Sequence, residues 1–277
     1  MILFAGPYNF EFGHELFSFQ GYIRDLSKID YYDSVTVCSK RSMSFLYEDF
    51  VDEFIPLEEF DLVREPRDVE VITQSFCQGS VSSGSGRFEH DQLFVKYGSQ
   101  APPNLCYDIV FHARTLPWGM CMNLDQEVFQ KVSDILSKKY RIAFMGSQDG
   151  SSCPEGVEDI RGIELKKLAD VLHSCRLVVG QSSGPIHFAS LCGAKHLTWG
   201  GHRFRTFARY VKHWNPLNSA CYIFEERGLG YINNRWRIMG LSREILEEPH
   251  VNVVEIDNFR SPTVDDLLNS VDSILNG

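Results

Sequence analysis

The chain lacks most of the marks of a secreted, membrane-spanning or metal-dependent protein. Its eight cysteines (Cys38, Cys77, Cys106, Cys121, Cys153, Cys175, Cys192 and Cys221) include no CxxC pair, and several lie inside apolar runs. That spacing argues against a disulfide framework or a zinc site, and a reducing compartment fits; no cofactor is expected. No apolar run approaches the roughly 18 residues of a membrane span. The opening MILFAGPYNFEFG lacks a basic region and holds only four consecutive apolar residues after Met1, so it does not read as a secretory leader. A cytoplasmic location is expected. The charge balance of 27 basic against 37 acidic residues excludes a surface that is basic all over. The one low-complexity run, Gly79–Gly86, has neither the GK[ST] of a Walker loop nor the third glycine of a Rossmann fingerprint, and reads as a loop.

What the chain does have is alternation. Strand signals at Ile2–Ala5, Val35–Cys38 and Val69–Thr73 are separated by helical patterns at Gly13–Lys28 and Met43–Phe50. Ala101-Pro102-Pro103 makes a plausible joint. After it come strands at Asp108–His112, Arg141–Met145, Leu177–Val179 and His196–Trp199, with helices at Asp125–Lys138, Leu165–Cys175 and Pro185–Cys192. This is the pattern of parallel sheets covered by helices, an α/β fold. Thr263 with Asp266 gives a helix-capping signal ahead of an amphipathic C-terminal segment.

The most informative stretch is Leu177–His187, LVVGQSSGPIH. A buried strand stops and a helix begins within a few residues. Ser182 or Ser183 can cap that helix, and Pro185 suits its first turn, where a backbone N–H is dispensable. The remaining N–H groups then stand at the positive end of the helix dipole, a ready anion site. Gly184 admits a phosphate close to the backbone, and His187 lies one turn in.

From Gly162 to Gly201 the sequence resembles the donor half of heptosyltransferase-type glycosyltransferases (glycosyltransferase family 9), whose pattern is D-S-G-P-x-H-x-A. Here it reads Ser182-Ser183-Gly184-Pro185-Ile186-His187-Phe188-Ala189, with Ser182 in place of the usual aspartate. Phe111-His112-Ala113-Arg114 with Trp118 looks like the family's diphosphate-contacting loop, and Phe144-Met145-Gly146-Ser147 like the strand end beside the nucleoside. About a hundred residues match in order. The resemblance implies a GT-B fold of two Rossmann-like domains facing across a cleft: residues 1–102 on the acceptor side, 103–260 binding a nucleotide-sugar, and 261–277 returning as a helix to the N-terminal domain. It also implies inversion at the sugar without a catalytic metal. The donor set is then Arg114, Trp118, Gly146, Ser147, Gln181, Ser182, Ser183, Gly184 and His187.

Inverting transfer needs a general base on the acceptor side. The family places a carboxylate just after the first strand. Here that region contains Glu11-Phe12-Gly13-His14-Glu15, which also looks like the GEFGWEL openings of glycosyltransferase-like proteins in tailed phages. Glu11 and Glu15 are both candidates, with His14 third. Residues 200–243 hold eight basic residues against Glu225 and Glu226, with aromatics interleaved. Arg203, Arg205 and Arg209 are therefore candidates for contacting the leaving diphosphate or an acceptor. A hydroxymethylated base in phage DNA is one acceptor this charge suits. A cell-surface glycan or lipid-linked precursor is another. A non-catalytic sugar-nucleotide-binding module and a sugar-phosphate epimerase are the rival classes.

Overall fold

The computed structural model describes residues 1–60, 69–72, 91–117, 123–200, 214–227, 248–257 and 261–277. Trp118, Arg203, Arg205, Arg209 and the Gly79–Gly86 loop lie outside the described residues. Both compact units, Met1–Val95 and Lys96–Gly277, are α/β with parallel sheets, as the alternation of signals implies.

In the first unit, β1 (Ile2–Ala5), β2 (Ser34–Ser39), β3 (Glu53–Pro56) and β4 (Val69–Ile72) form a parallel sheet in the order β3-β2-β1-β4. The helix after β1 is not uniform. It opens at Phe12–His14, widens into a π-helical turn over Glu15–Phe19, and continues as α1 (Gln20–Leu26). Gln20 N–H closes the wide turn on the carbonyl of Glu15. All five residues of that turn are buried, and such turns are frequent at functional sites. The helix expected over Met43–Phe50 is instead a 3₁₀ stretch, Arg41–Leu46, followed by turns. Two side-chain bonds account for this. Arg24 Nη2 takes the Leu46 carbonyl at 3.0 Å, and the Tyr47 hydroxyl is drawn inward to Glu15. Arg24 also pairs with Asp49 and lies over the Phe50 ring, so segment 41–50 is fastened to the helix by side chains.

The second unit carries β5 (Ile109–Arg114), β6 (Ile142–Phe144), the short β7 (Ser151–Ser152) and β8 (Glu158–Asp159), then β9 (Leu177–Gln181), β10 (His196–Trp199), β11 (Cys221–Glu226) and β12 (Val251–Ile256). The main path runs β12-β11-β10-β9-β5-β6-β8, all parallel, with β7 antiparallel to β5. The helices are α2 (Gln126–Leu136), α3 (Leu165–Ser174), α4 (Gly184–Leu191) and α5 (Val264–Asn276). One core joins Ile109, Phe111, Ile142, Phe144, Leu177, Val179, Leu197 and Trp199 of the sheet to Phe129 and Val132 of α2 and Leu267, Val271 and Ile274 of α5.

Two boundaries differ from the expectation. The second unit starts at Lys96 rather than 103, because residues 97–101 are bonded to its helices. Tyr97 N–H donates to Leu191 O (2.9 Å), Ser99 N–H to Asp170 (2.7 Å) and Ala101 N–H to Ser174 Oγ (2.7 Å). The C-terminal helix α5, expected to return to the N-terminal domain, packs on α2 and belongs to the second unit. Its apolar face finds the sheet it follows in sequence. Thr263 and Asp266 form the expected capping box. Among the described residues, no helix is long and apolar enough to cross a membrane.

Candidate functional site

The donor-side candidates gather at the C-terminal ends of three adjacent strands, β6, β5 and β9. In open parallel sheets this is where ligands bind. Ser182 N–H closes onto Trp199 O (2.7 Å), ending β9 against β10. The chain turns at Ser183, whose extended backbone makes it the N-cap of α4. Its hydroxyl does not cap the helix but donates back to Gln181 O (2.9 Å). The first amide to bond within the turn is His187 N–H, to Ser183 O (2.9 Å). Pro185 has no N–H to satisfy. The N–H groups of Ser183, Gly184 and Ile186 have no acceptor among the described residues. These three donors stand at the positive end of the helix.

Ser182 and His187 are both buried, and Ser182 Oγ lies 3.0 Å from His187 Nε2. The His187 ring stacks on Trp214 with centroids 4.3 Å apart, and Ser190 Oγ lies between the two backbones, 2.7 Å from His187 O and 2.6 Å from Trp214 O. Gln181 is fully buried as well. Oriented so that both ends of its amide are satisfied, it donates to His112 O (2.7 Å) and accepts from Leu124 N–H (3.1 Å). Arg114 is likewise turned inward, its Nη1 held by Asn123 Oδ1 (2.6 Å) and Leu116 O (3.1 Å).

Gly146 ends β6 with φ +134°, and a Cβ there would fall 2.2 Å from Ser151 Oγ and 3.0 Å from His112 Nδ1. Only glycine lets the strand end pass so close to its neighbours. Ser147 shapes the following turn, accepting from Gly150 N–H at Oγ (3.0 Å) and from Ser151 Oγ at its carbonyl (2.7 Å).

His112, one residue inside the loop singled out by sequence, is the neighbour that sequence reasoning did not assign. Its Nδ1 faces Met145 O at 3.2 Å, and burial pushes its pKa down to about 4. The ring is therefore neutral. The signal that could have found it is the polar residue itself, in an otherwise apolar buried strand.

The acceptor-side candidates lie at the C-terminal ends of β1 and β2 in the first unit. Gly6 makes the turn after β1 with φ +134°, where a Cβ would meet Cys38 O at 2.4 Å. Tyr8 N–H then bonds Cys38 O (2.9 Å), and Lys40 Nζ donates to Phe10 O (2.8 Å). Glu11 follows. Its carbonyl accepts from His14 and Glu15 N–H, and its carboxylate lies 3.9 Å from His14 Nε2. The two side chains are 49% and 22% exposed.

Glu15 is the opposite case, 1% exposed. One carboxyl oxygen accepts from both Ser39 Oγ and Tyr47 OH, while Oε2 has no partner among the described residues. Burial pushes its pKa up to about 7, against the lowering effect of those two bonds and of the Lys40 charge. Ser39, Lys40 and Tyr47 were not legible as site-shaping residues, since nothing in a linear pattern pairs them with residues about thirty positions upstream. No group of three or more metal-ligating side chains occurs among the described residues.

No protein-family model matches the chain, and no curated protein matches it by sequence. Solved structures do match. One is a family 9 glycosyl transferase from Veillonella parvula, with 12% identity over 99% of this chain and 97% of that one and a TM-score of 0.56. A second is the E. coli ADP-heptose LPS heptosyltransferase II, with 10% identity over 99% and 98% and a TM-score of 0.55. A third is the E. coli heptosyltransferase WaaC with ADP, with 11% identity over 99% of both chains and a TM-score of 0.51. The chain has the fold of these glycosyltransferases.

Proposed function

We propose that the protein is a glycosyltransferase that moves a sugar from a nucleotide-diphosphate sugar to an acceptor hydroxyl with inversion. The observation that carries this is the start of α4, where the N–H groups of Ser183, Gly184 and Ile186, at the end of a parallel strand, have no acceptor among the described residues. Such a terminus suits a diphosphate both as ground-state ligand and as leaving group, because its donors and dipole already point where negative charge accumulates. In this reading the backbone of Ser183, Gly184 and Ile186 makes the direct contacts, and the Ser182–His187 bond braces the turn. Gly146 and Ser147 border the nucleoside. Arg203, Arg205 and Arg209 remain candidates for neutralising the departing diphosphate, and Arg114 and Trp118 remain candidates for donor contacts.

Glu11 is the proposed base. It is accessible, and His14 beside it can relay or share the proton. Glu15 has the pKa of a good base but not the access of one, since two hydroxyls occupy one oxygen and the other is sealed from solvent. Glu11→Gln should lower kcat by about 10²–10⁴-fold with donor affinity kept. Full activity in that variant would remove Glu11 from the mechanism.

The fold shared with ADP-heptose enzymes supports an ADP-linked donor and a glycan acceptor. Ser182, standing where the family pattern has aspartate, favours a donor sugar other than heptose. The basic, aromatic composition of residues 200–243 favours a second acceptor, hydroxymethylated DNA. Parallel assays on glycan acceptors and on hydroxymethylated DNA decide between them. Donor binding with neither transfer nor hydrolysis would instead indicate a non-catalytic sugar-nucleotide-binding module.

A further inference from the structure

Between β1 and the first helix, the loop that delivers Glu11 is stitched to the end of β2 at two points. One is a backbone bond, Tyr8 N–H to Cys38 O. A second is a charged contact, Lys40 Nζ to the carbonyl of Phe10, the residue directly before Glu11. The neighbouring cation shows that this orientation is not simply the default for a surface residue there. Arg41 turns outward to Glu58 and Glu59, whereas Lys40 turns along the loop and is partly buried. The strand end that carries Lys40 is itself fixed, because Ser39 is bonded to the buried Glu15 carboxyl, which also holds Tyr47. Ser39, Lys40, Tyr47 and Glu15 thus form one frame around the loop, with Glu15 placed by the π-helical turn.

We propose that Lys40 is a positioning residue: its ammonium, anchored by this frame, fixes the Phe10–Glu11 backbone and so sets where the Glu11 carboxylate stands. The inference rests on the glycosyltransferase reading for its catalytic consequence, but not for its structural one. A charge-assisted hydrogen bond to a carbonyl is among the stronger bonds available to a loop. A base displaced by about an ångström loses much of its effectiveness.

The test uses the full-length protein and the variants Lys40→Met and Lys40→Arg. Amide hydrogen exchange should quicken about tenfold at Tyr8, His14 and Glu15 in Lys40→Met, while Val35 and Val37 within β2 stay unchanged. With donor and acceptor supplied, kcat should fall about tenfold at unchanged donor KM, and Lys40→Arg should recover most of it. In a Glu11→Gln background, Lys40→Met should cost nothing further, since the residue acts through Glu11. Unchanged exchange at those amides overturns the proposal. So does faster exchange with undiminished turnover, or an equal loss of turnover in the Glu11→Gln background. Absence of any transfer or hydrolysis by the unmodified protein would overturn the glycosyltransferase reading instead, and the exchange result would still decide whether Lys40 fixes the loop.

Discussion

Glu11 and Glu15 show how little chemical identity says about role until burial is known. They are four residues apart and of one type, yet one is half exposed beside a histidine and the other is sealed under two hydroxyls. Sequence placed both in the region where a base is needed and could not separate them, because the residues that bury Glu15 come from β2 and from segment 41–50. The same holds for Ser182 and His187. Their presence was legible, but their mutual bond and the Trp214 stack were not. The Glu15 environment has a measurable consequence. Its folded pKa of about 7 lies above the ordinary 4.5, so the folded state holds the proton more tightly than the unfolded chain. The resulting stabilisation is fully present below about pH 4.5 and is lost as pH rises through 7, at most about 3 kcal/mol. Glu15→Gln should therefore flatten the pH dependence of stability between pH 4.5 and 7, measured by denaturant unfolding at several pH values. An unchanged slope would mean that Glu15 is not the titrating group.

At the scale of elements, hydrophobic periodicity carried most of the information. Ile2–Ala5 and His196–Trp199 fall where the apolar runs put them, and α2, α3 and α4 are within two residues of their patterns. The exceptions have local causes. Segment 43–50 has a helical pattern, but the bonds of Arg24 and Tyr47 hold it in turns. The strands β3 (EFIP), β11 (CYIFEE) and β12 (VNVVEI) mix charged or polar residues with apolar ones in no strict alternation, so no period marks them. The α5 helix was legible with its cap, while its partner was not, since an amphipathic face specifies that something covers it and not what. In the structure that cover is α2 and the sheet of the second unit. Leu267, fully buried there, should cost about 2–5 kcal/mol when changed to alanine. The loss should appear in the unfolding of the second unit. A change below about 0.5 kcal/mol, the range of ordinary surface substitutions, would show that α5 is not part of that core.

For the whole molecule, two parallel α/β units present their candidate residues at the C-terminal ends of their strands. In the first unit these are an exposed carboxylate and a loop bonded to Lys40; in the second, a helix terminus with three N–H groups that have no acceptor among the described residues. The order of elements and the strand-to-helix turn at 181–187 were legible because a strand, a serine pair, a glycine and a proline in succession have few structural solutions. Where the sequence was silent was on competition for the hydroxyls. Ser183 bonds back to Gln181 instead of capping α4, and that leaves the amides open. The central claim is that these amides bind a diphosphate. Titrating isotope-labelled protein with ADP while following backbone amide resonances tests it most directly. The largest shifts should fall on Ser183, Gly184 and Ile186, saturating with a single affinity. Shifts absent from these three amides while ADP binds elsewhere would contradict it.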